Sequence, residues 1–203
     1  MPTARRTERV KRLLSLRQPD LRVVLEGVAI AHNASAVIRT CDAAGILHLD
    51  LVSPNPELLG INKAISTRAE KWLDVHIHKS LESCLLPLKE KGFQVAVTHL
   101  GEEAVEYADF DYTPPLTIVF GSESEGVSPQ ALNLADHRIR IPMLGMVQSL
   151  NLSVSVGVIL FEALKQRRAR GFLDRRQLSD GEFERYLRKW LDADGETEIP
   201  ESG

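Results

Sequence analysis

Two short segments, FQVAV at residues 93–97 and LTIVF at 116–120, are apolar at nearly every position. A strand with one wet face alternates in polarity. A strand that is apolar throughout is covered on both faces, which is the condition of a parallel sheet flanked by helices. Segments with helical spacing lie between such strands. In NASAVIRTCDAAG (33–45), Ala34, Val37, Ile38 and Cys41 share one helical face and Gly45 suits a C-cap. Further strands are expected at LRVVLEG, HLDLVSP, VHIHKS and HRIRIPM. Helices are expected at 5–17, at SLESCLLPLKEKG with a Ser start and a Gly stop, at EEAVEYAD, at SPQALNLAD, at 149–168 and at GEFERYLRKWL. The predicted fold class is therefore α/β, a mostly parallel sheet with helices on both faces, with short helical extensions at both ends. The 203 residues suit one domain with terminal additions. The expected organisation is a basic N-terminal helix at 1–19, a core at 20–170, and a C-terminal helix with an acidic, disordered tail at 171–203.

The net charge of −3 argues against a nucleic-acid partner only until its distribution is read. Arg5, Arg6, Arg9, Lys11, Arg12, Arg17 and Arg22 crowd the N-terminus against Glu8 and Asp20. Lys165, Arg167, Arg168, Arg170, Arg175 and Arg176 form a second cluster, and the tail LDADGETEIPESG offsets the total. Local patches decide attraction to phosphate, although solvated helix faces have the same composition. Cys41 and Cys84 lack metal-ligand spacing and read as free thiols of a reducing cytoplasm, so no metal is expected. No window reaches the roughly 18 apolar residues of a membrane span, and MPTARRTERVKRLL has no signal-peptide core.

Three loops follow predicted strand ends, where open α/β sheets bind ligands: THLGEE, GSESEGVS and MLGMVQSLN. GSESEG lacks the Lys-Ser/Thr of a triphosphate loop, and its two acids would repel phosphate. The glycine fingerprint of dinucleotide sites is absent after the first strand. The crevice thus favours a neutral or cationic, partly apolar ligand. The stretch IPMLGMVQSLN (141–151) is apolar yet holds Pro142 and Gly145, so it is neither regular helix nor central strand. Asn33 is placed to cap a helix, and Arg39 stands in an apolar run as either a snorkelling side chain or an anion clamp.

NASAVIRTCDAAG, IVFGSESEGVS and IPMLGMVQSLNLSVSVGVILFEA, in that order, resemble the three motifs of the SPOUT-class RNA 2′-O-ribose methyltransferases. RQPDL, YTPPLTIVFG and QRRARG place the likeness within the TrmH/SpoU family, nearest to its bacterial branch that acts on guanosine 18 of tRNA. The likeness spans about residues 5–175. It implies a deep C-terminal trefoil knot, S-adenosylmethionine as methyl donor, and a homodimer with an active site shared across the interface. By motif match it implies Arg39 as the essential catalytic residue, supported by Asn33, Glu123, Ser149 and Asn151. It implies cofactor contacts at Thr98, Gly121, Ile141 and Leu150, with Met143 and Gly145 nearby. The substrate implied is the ribose 2′-hydroxyl of guanosine 18 in the tRNA D-loop, held through Arg5, Arg6, Arg9, Lys11, Arg12, Arg17, Arg167 and Arg168. A different tRNA or rRNA nucleotide, or a catalytically weak RNA-binding relative, is the alternative. Ser124 and Glu125 stand where related chains carry a lysine beside the motif glutamate, which alters the charge along the RNA path.

Overall fold

The computed structural model describes residues 2–27, 30–55, 69–122 and 124–192, and leaves aside the side chains of residues 30–34 and 69–70. Glu123, most of the acidic tail and the segment 56–68 lie outside the described residues. Helix α1 (Ala4–Ser15) leads into β1 (Gln18–Glu26), α2 (Ile30–Ala43) and β2 (Ile46–Val52). A single 3-10 turn (Ala69–Trp72) precedes β3 (Asp74–His78) and α3 (Leu81–Glu90). Then come β4 (Gln94–Thr98), β5 (Val105–Glu106), β6 (Leu116–Phe120), α4 (Pro129–Leu134) and β7 (His137–Arg140). Helices α5 (Leu152–Ala169) and α6 (Asp180–Asp192) close the described chain.

All seven strands pair in parallel, in the order β3-β2-β1-β6-β4-β7-β5. β1 and β6 are central, and every residue of Leu116–Phe120 is buried, as its nearly continuous apolar run requires, with Thr117 buried among the apolar side chains. One face packs Leu21, Val23 and Ile118 against Val37 and Cys41 of α2 and Val156 and Ile159 of α5. The other packs Val24, Val97 and Val119 against Leu85 of α3 and Ala131 of α4. Gly45 ends α2 with φ +75°, a value glycine adopts without steric cost. It also accepts the Gln18 N–H at 2.9 Å, which starts β1 beside β2.

Helices α1 and α6 share a third cluster, in which Val10 and Leu14 meet Leu187 and Trp190 over Leu47 of β2. Arg17 belongs to this interior. Its guanidinium donates to the carbonyls of Asp42 (3.0 Å) and Ile46 (3.1 Å), pairs with the Asp42 carboxylate, and lies over the Trp190 ring. Arg167 is fully buried and bonds the Tyr112 and Pro114 carbonyls and Asp20. Both had the residue type for phosphate contact. Both are instead engaged by internal acceptors, so neither presents a charge to RNA.

Three other expectations give way. EEAVEYAD is no helix: Val105–Glu106 adds to the sheet beside β7, and the Tyr107 N–H bonds the Arg140 carbonyl at 2.8 Å. Eight residues are too few to hold a helix alone, and the open edge of β7 satisfies their backbone instead. Asn33 is not the N-cap of α2, because the helix already begins at Ile30 and nothing in IAH stops it. The long helix starts at Leu152 rather than 149, and Asn151 caps it.

Candidate active site

The strand ends that carry the three suspected loops meet in one cleft of about 420 Å³. Thr98 and His99 line it from the end of β4, Gly121 and Ser122 from β6, and Ile141 and Met143 from the chain after β7. Ser149 and Leu150 complete its floor with Leu152, Ser155 and Ile159 of α5. Five of the six expected cofactor residues therefore converge here, together with Ser149. Gly145 is exposed and does not line it.

Backbone geometry shapes the cleft more than ion pairs do. Ser122 and Gly126 exchange N–H···O bonds of 3.1 and 2.9 Å, folding the loop after β6 into a closed turn. A Cβ on Gly121 would collide with the backbone of Gly126 and Val127, so only glycine lets the turn close. The Glu125 N–H donates to Ser122 Oγ at 3.1 Å, which keeps Ser122, Ser124 and Glu125 on the rim. Beside the cleft, Asn151 is exposed and does not line it; its Oδ1 accepts from the Ser153 N–H at 2.9 Å and from Ser153 Oγ at 2.6 Å. These bonds satisfy orphan groups at the start of α5 and fix the direction of the loop that precedes it. Asn151 thus positions Ser149 and Leu150.

Sequence reading passed over two groups at this cleft. His99 faces Glu103 at 3.4 Å, and Glu103 also accepts from Arg138 at 3.0 Å. Arg140 lines the cleft with a buried Nε that has no hydrogen-bond partner. Their signal was adjacency to the strand ends alone.

Arg39 is exposed on α2 and does not line the cleft of the single chain. Its neighbour Thr40 sits against Gly157 of α5, so α2 lies along the same helix that floors the cleft. Exposed apolar side chains surround this region: Leu144, Met146 and Val147 on the loop, and Val154 and Phe161 on α5. Of the basic residues, Arg5, Arg9, Arg12 and Arg168 are exposed, and Arg6 and Lys11 are half-buried. No described helix is long and apolar enough to cross a membrane.

An adenosine suits this cleft. Flat heterocycles prefer an apolar pocket with a few backbone donors and acceptors. Leu150, Ile141, Met143 and Ile159 supply the apolar surface, and the irregular backbone of 141–151 supplies the polar groups. No phosphate cradle is present among the described residues. A sulfonium cation needs none, and it tolerates Glu125 on the rim.

Comparison with known proteins agrees with this chemistry. The profile of the SpoU rRNA Methylase family matches residues 20–161. The tRNA (guanosine(18)-2′-O)-methyltransferase of Thermus thermophilus is 46% identical over 189 residues, covering 93% of this chain and 97% of that protein. The crystal structure of the A. aeolicus TrmH/SpoU tRNA modifying enzyme superposes with a TM-score of 0.87 at 40% identity, covering 95% of this chain and 98% of that one. The structure of an AdoMet-bound rRNA methyltransferase from Sinorhizobium meliloti matches with a TM-score of 0.59 at 27% identity, covering 83% of this chain and 61% of that one.

Proposed function

The chain belongs to the SpoU methylase family, and from that premise we propose that it methylates the ribose 2′-hydroxyl of guanosine 18 in tRNA. The observation that carries the reading is the convergence of Thr98, Gly121, Ile141, Met143, Ser149 and Leu150 on one apolar cleft. When bound there, S-adenosylmethionine supplies an activated methyl group on its sulfonium.

The protein's own residues bind, orient and exclude water. The apolar floor holds the adenosine, and the closed turn after β6 limits how deep it sits. Holding reactants in line replaces an encounter in solution, and much of the rate follows from that positioning. Arg39 is the essential residue of this reading. A guanidinium has five N–H donors and no acceptor, so Arg39 acts as a clamp on an RNA phosphate rather than as a proton acceptor. The 2′-hydroxyl releases its proton as the new bond forms. Asn33 and Glu123 support the site in the same reading.

Since Arg39 lies outside the cleft of its own chain, the site is completed by a second copy. The exposed Leu144, Met146, Val147, Val154 and Phe161 offer the apolar surface for such a homodimer. In the same reading, the segment from β7 through 141–151 into α5 threads a loop of the chain as a deep trefoil knot, as the likeness of its three motifs implies. Residues 20–170 form the catalytic unit, with 1–19 and 171–203 as flanking segments of a cytoplasmic protein. Arg5, Arg6, Arg9, Lys11, Arg12 and Arg168 hold tRNA through its phosphates.

The test is methylation of unmodified tRNA with labelled cofactor, followed by mapping of the modified ribose. Label at guanosine 18 is the expected result. Label in ribosomal RNA and none in tRNA would overturn the assignment.

A further inference from the structure

Far from the cleft, the β2–β3 edge of the sheet carries a polar stripe. The strand DVHIH alternates, so Asp74, His76 and His78 share one face, and the register sets His48 opposite Asp74. Together with Asp50 they line a hollow of about 530 Å³ between α3 and α6. Asp50 is buried and the other four are partly exposed, and three histidines with two aspartates on one sheet face seldom occur without a reason.

Three of these groups converge on one point. Asp74 Oδ2 is 3.1 Å from His76 Nε2 and 3.5 Å from His48 Nδ1. His48, Asp74 and His76 each offer a ligand atom within 4.8 Å of the other two. A tetrahedral ion with bonds of about 2.05 Å holds its ligand atoms about 3.3 Å apart. The separations of 3.1 and 3.5 Å bracket that edge. His48 Nδ1 is buried and its nearest partner is the Asp74 carboxylate at 3.5 Å, too long for a full hydrogen bond, which is costly for a ring nitrogen. A bound cation would satisfy it.

The surroundings orient the carboxylate. Tyr186 Oη donates to Asp74 Oδ2 at 2.7 Å, and Lys189 Nζ donates to Oδ1 at 2.9 Å. Both belong to α6, so the carboxylate joins β3 to that helix. Lys189 opposes a cation, but it bonds the oxygen that does not face the imidazoles, and its side chain is half exposed. The adjoining Asp50, His78 and Cys84 are a poorer set. Asp50 is already gripped by Arg22 through two bonds of 3.0 Å.

We propose that His48, Asp74 and His76 bind a divalent transition-metal ion of the zinc class. Two imidazoles and a carboxylate leave one position open to the hollow, where water completes the shell. The ion would pin β2 to β3 and, through Tyr186 and Lys189, hold α6 against the sheet.

The test uses the full, tag-free chain after chelation and dialysis, with Co²⁺ as the probe. Titration is expected to give one equivalent per chain, a ligand-field absorption of tetrahedral type, displacement by Zn²⁺ and a rise in Tm. His76→Ala, at a well-exposed side chain, is expected to keep the fold and lose affinity at least tenfold. His48→Ala should do the same, and Tyr186→Phe should lose roughly tenfold as an outer-shell change. His78→Ala should leave binding intact. Absence of saturable Co²⁺ binding at micromolar concentration would overturn the proposal. So would binding that survives His76→Ala, or that depends on His78 alone.

Discussion

Arg167 near the end of α5 donates a 2.6 Å hydrogen bond to Asp20 of β1, a residue 147 positions earlier. The guanidinium is fully buried, and Phe172 covers it. Its remaining donors reach the carbonyls of Tyr112 at 2.8 Å and Pro114 at 3.0 Å. The pair ties α5 to the first strand. Removing one partner of a buried pair costs about 3–5 kcal/mol, and the lower figure applies here because Asp20 is partly solvated. Arg167→Ala is expected to lower Tm by many degrees, and the next residue, exposed Arg168, should tolerate alanine with unchanged Tm and weaker tRNA binding. Thermal denaturation and a tRNA-binding isotherm of both variants check the contrast.

Gly121→Ala should disable cofactor binding. The added methyl would strike the backbone of Gly126 and Val127, which is closed by two hydrogen bonds and has no room to yield. The expected outcome is a loss of at least tenfold in S-adenosylmethionine affinity by calorimetry, together with a lower Tm. Gly145→Ala, at a position with open space around it, should leave both unchanged.

Much of this was legible in the sequence, and the reasons for the rest are local. The apolar runs LTIVF and FQVAV announced a buried parallel sheet, because only burial on both faces removes the alternation. The loops of the cleft were legible because strand ends and loops fall at fixed places in such a sheet, whereas its individual residues came from the resemblance to the family's motifs. Arg17 and Arg167 were misread because charge shows in a sequence, whereas an internal acceptor such as Asp42 or Asp20 is brought near only by the fold. EEAVEYAD was misread because an open sheet edge overrides weak local preference. The His–Asp stripe was missed because two of its residues come from β2 and three from β3, and their register is invisible in one strand.

The exposed face of α1 supports a prediction about salt. Val10 and Leu14 anchor the helix in the third core, so deleting α1 would damage the fold as well as any RNA contact. Replacing Arg5, Arg9 and Arg12 by glutamine keeps the anchor and removes three charges. tRNA affinity should then fall at low salt, and the slope of log K against log salt should drop by roughly one for each phosphate no longer neutralised. Cofactor affinity should not move. An unchanged salt slope would remove α1 from the RNA path.

Burial pushes the Cys41 thiol from about 9 up to about 12, with Arg17 opposing the shift and Asp42 adding to it. Burial raises Cys84 to about 12 as well, with Asp50 adding to the shift. At pH 8 roughly one thiol in ten thousand would be ionised at such a value. Native protein should therefore be inert to a disulfide reagent, and two thiols should react once it is denatured. The sign for stability follows from linkage. The unfolded chain loses these protons at lower pH than the folded one, so this contribution is full below about pH 9 and is lost as pH rises toward about 12. Denaturation midpoints at pH 8 and pH 11 should differ in that direction, and Cys41→Ala should shrink the difference.

Arg39 gives the sharpest separation of binding from chemistry. It is exposed and outside the cleft, so Arg39→Ala should leave the fold and S-adenosylmethionine affinity intact. Methyl transfer to tRNA should fall by at least roughly 100-fold, because a clamp on the reacting nucleotide acts where the geometry of transfer is set. Arg39→Lys keeps the charge but loses the two-pronged grip of the guanidinium, so it should recover only a small part of the rate. Mixing Arg39→Ala chains with chains disabled in the cleft by Gly121→Ala extends the test to the dimer. If each site draws Arg39 from one copy and the cleft from the other, half of the sites in a mixed dimer are whole. Activity should then appear on mixing two inactive proteins. If both contributions came from one chain, a mixed dimer would hold one cleft without its arginine and one arginine without its cleft, and no activity would return.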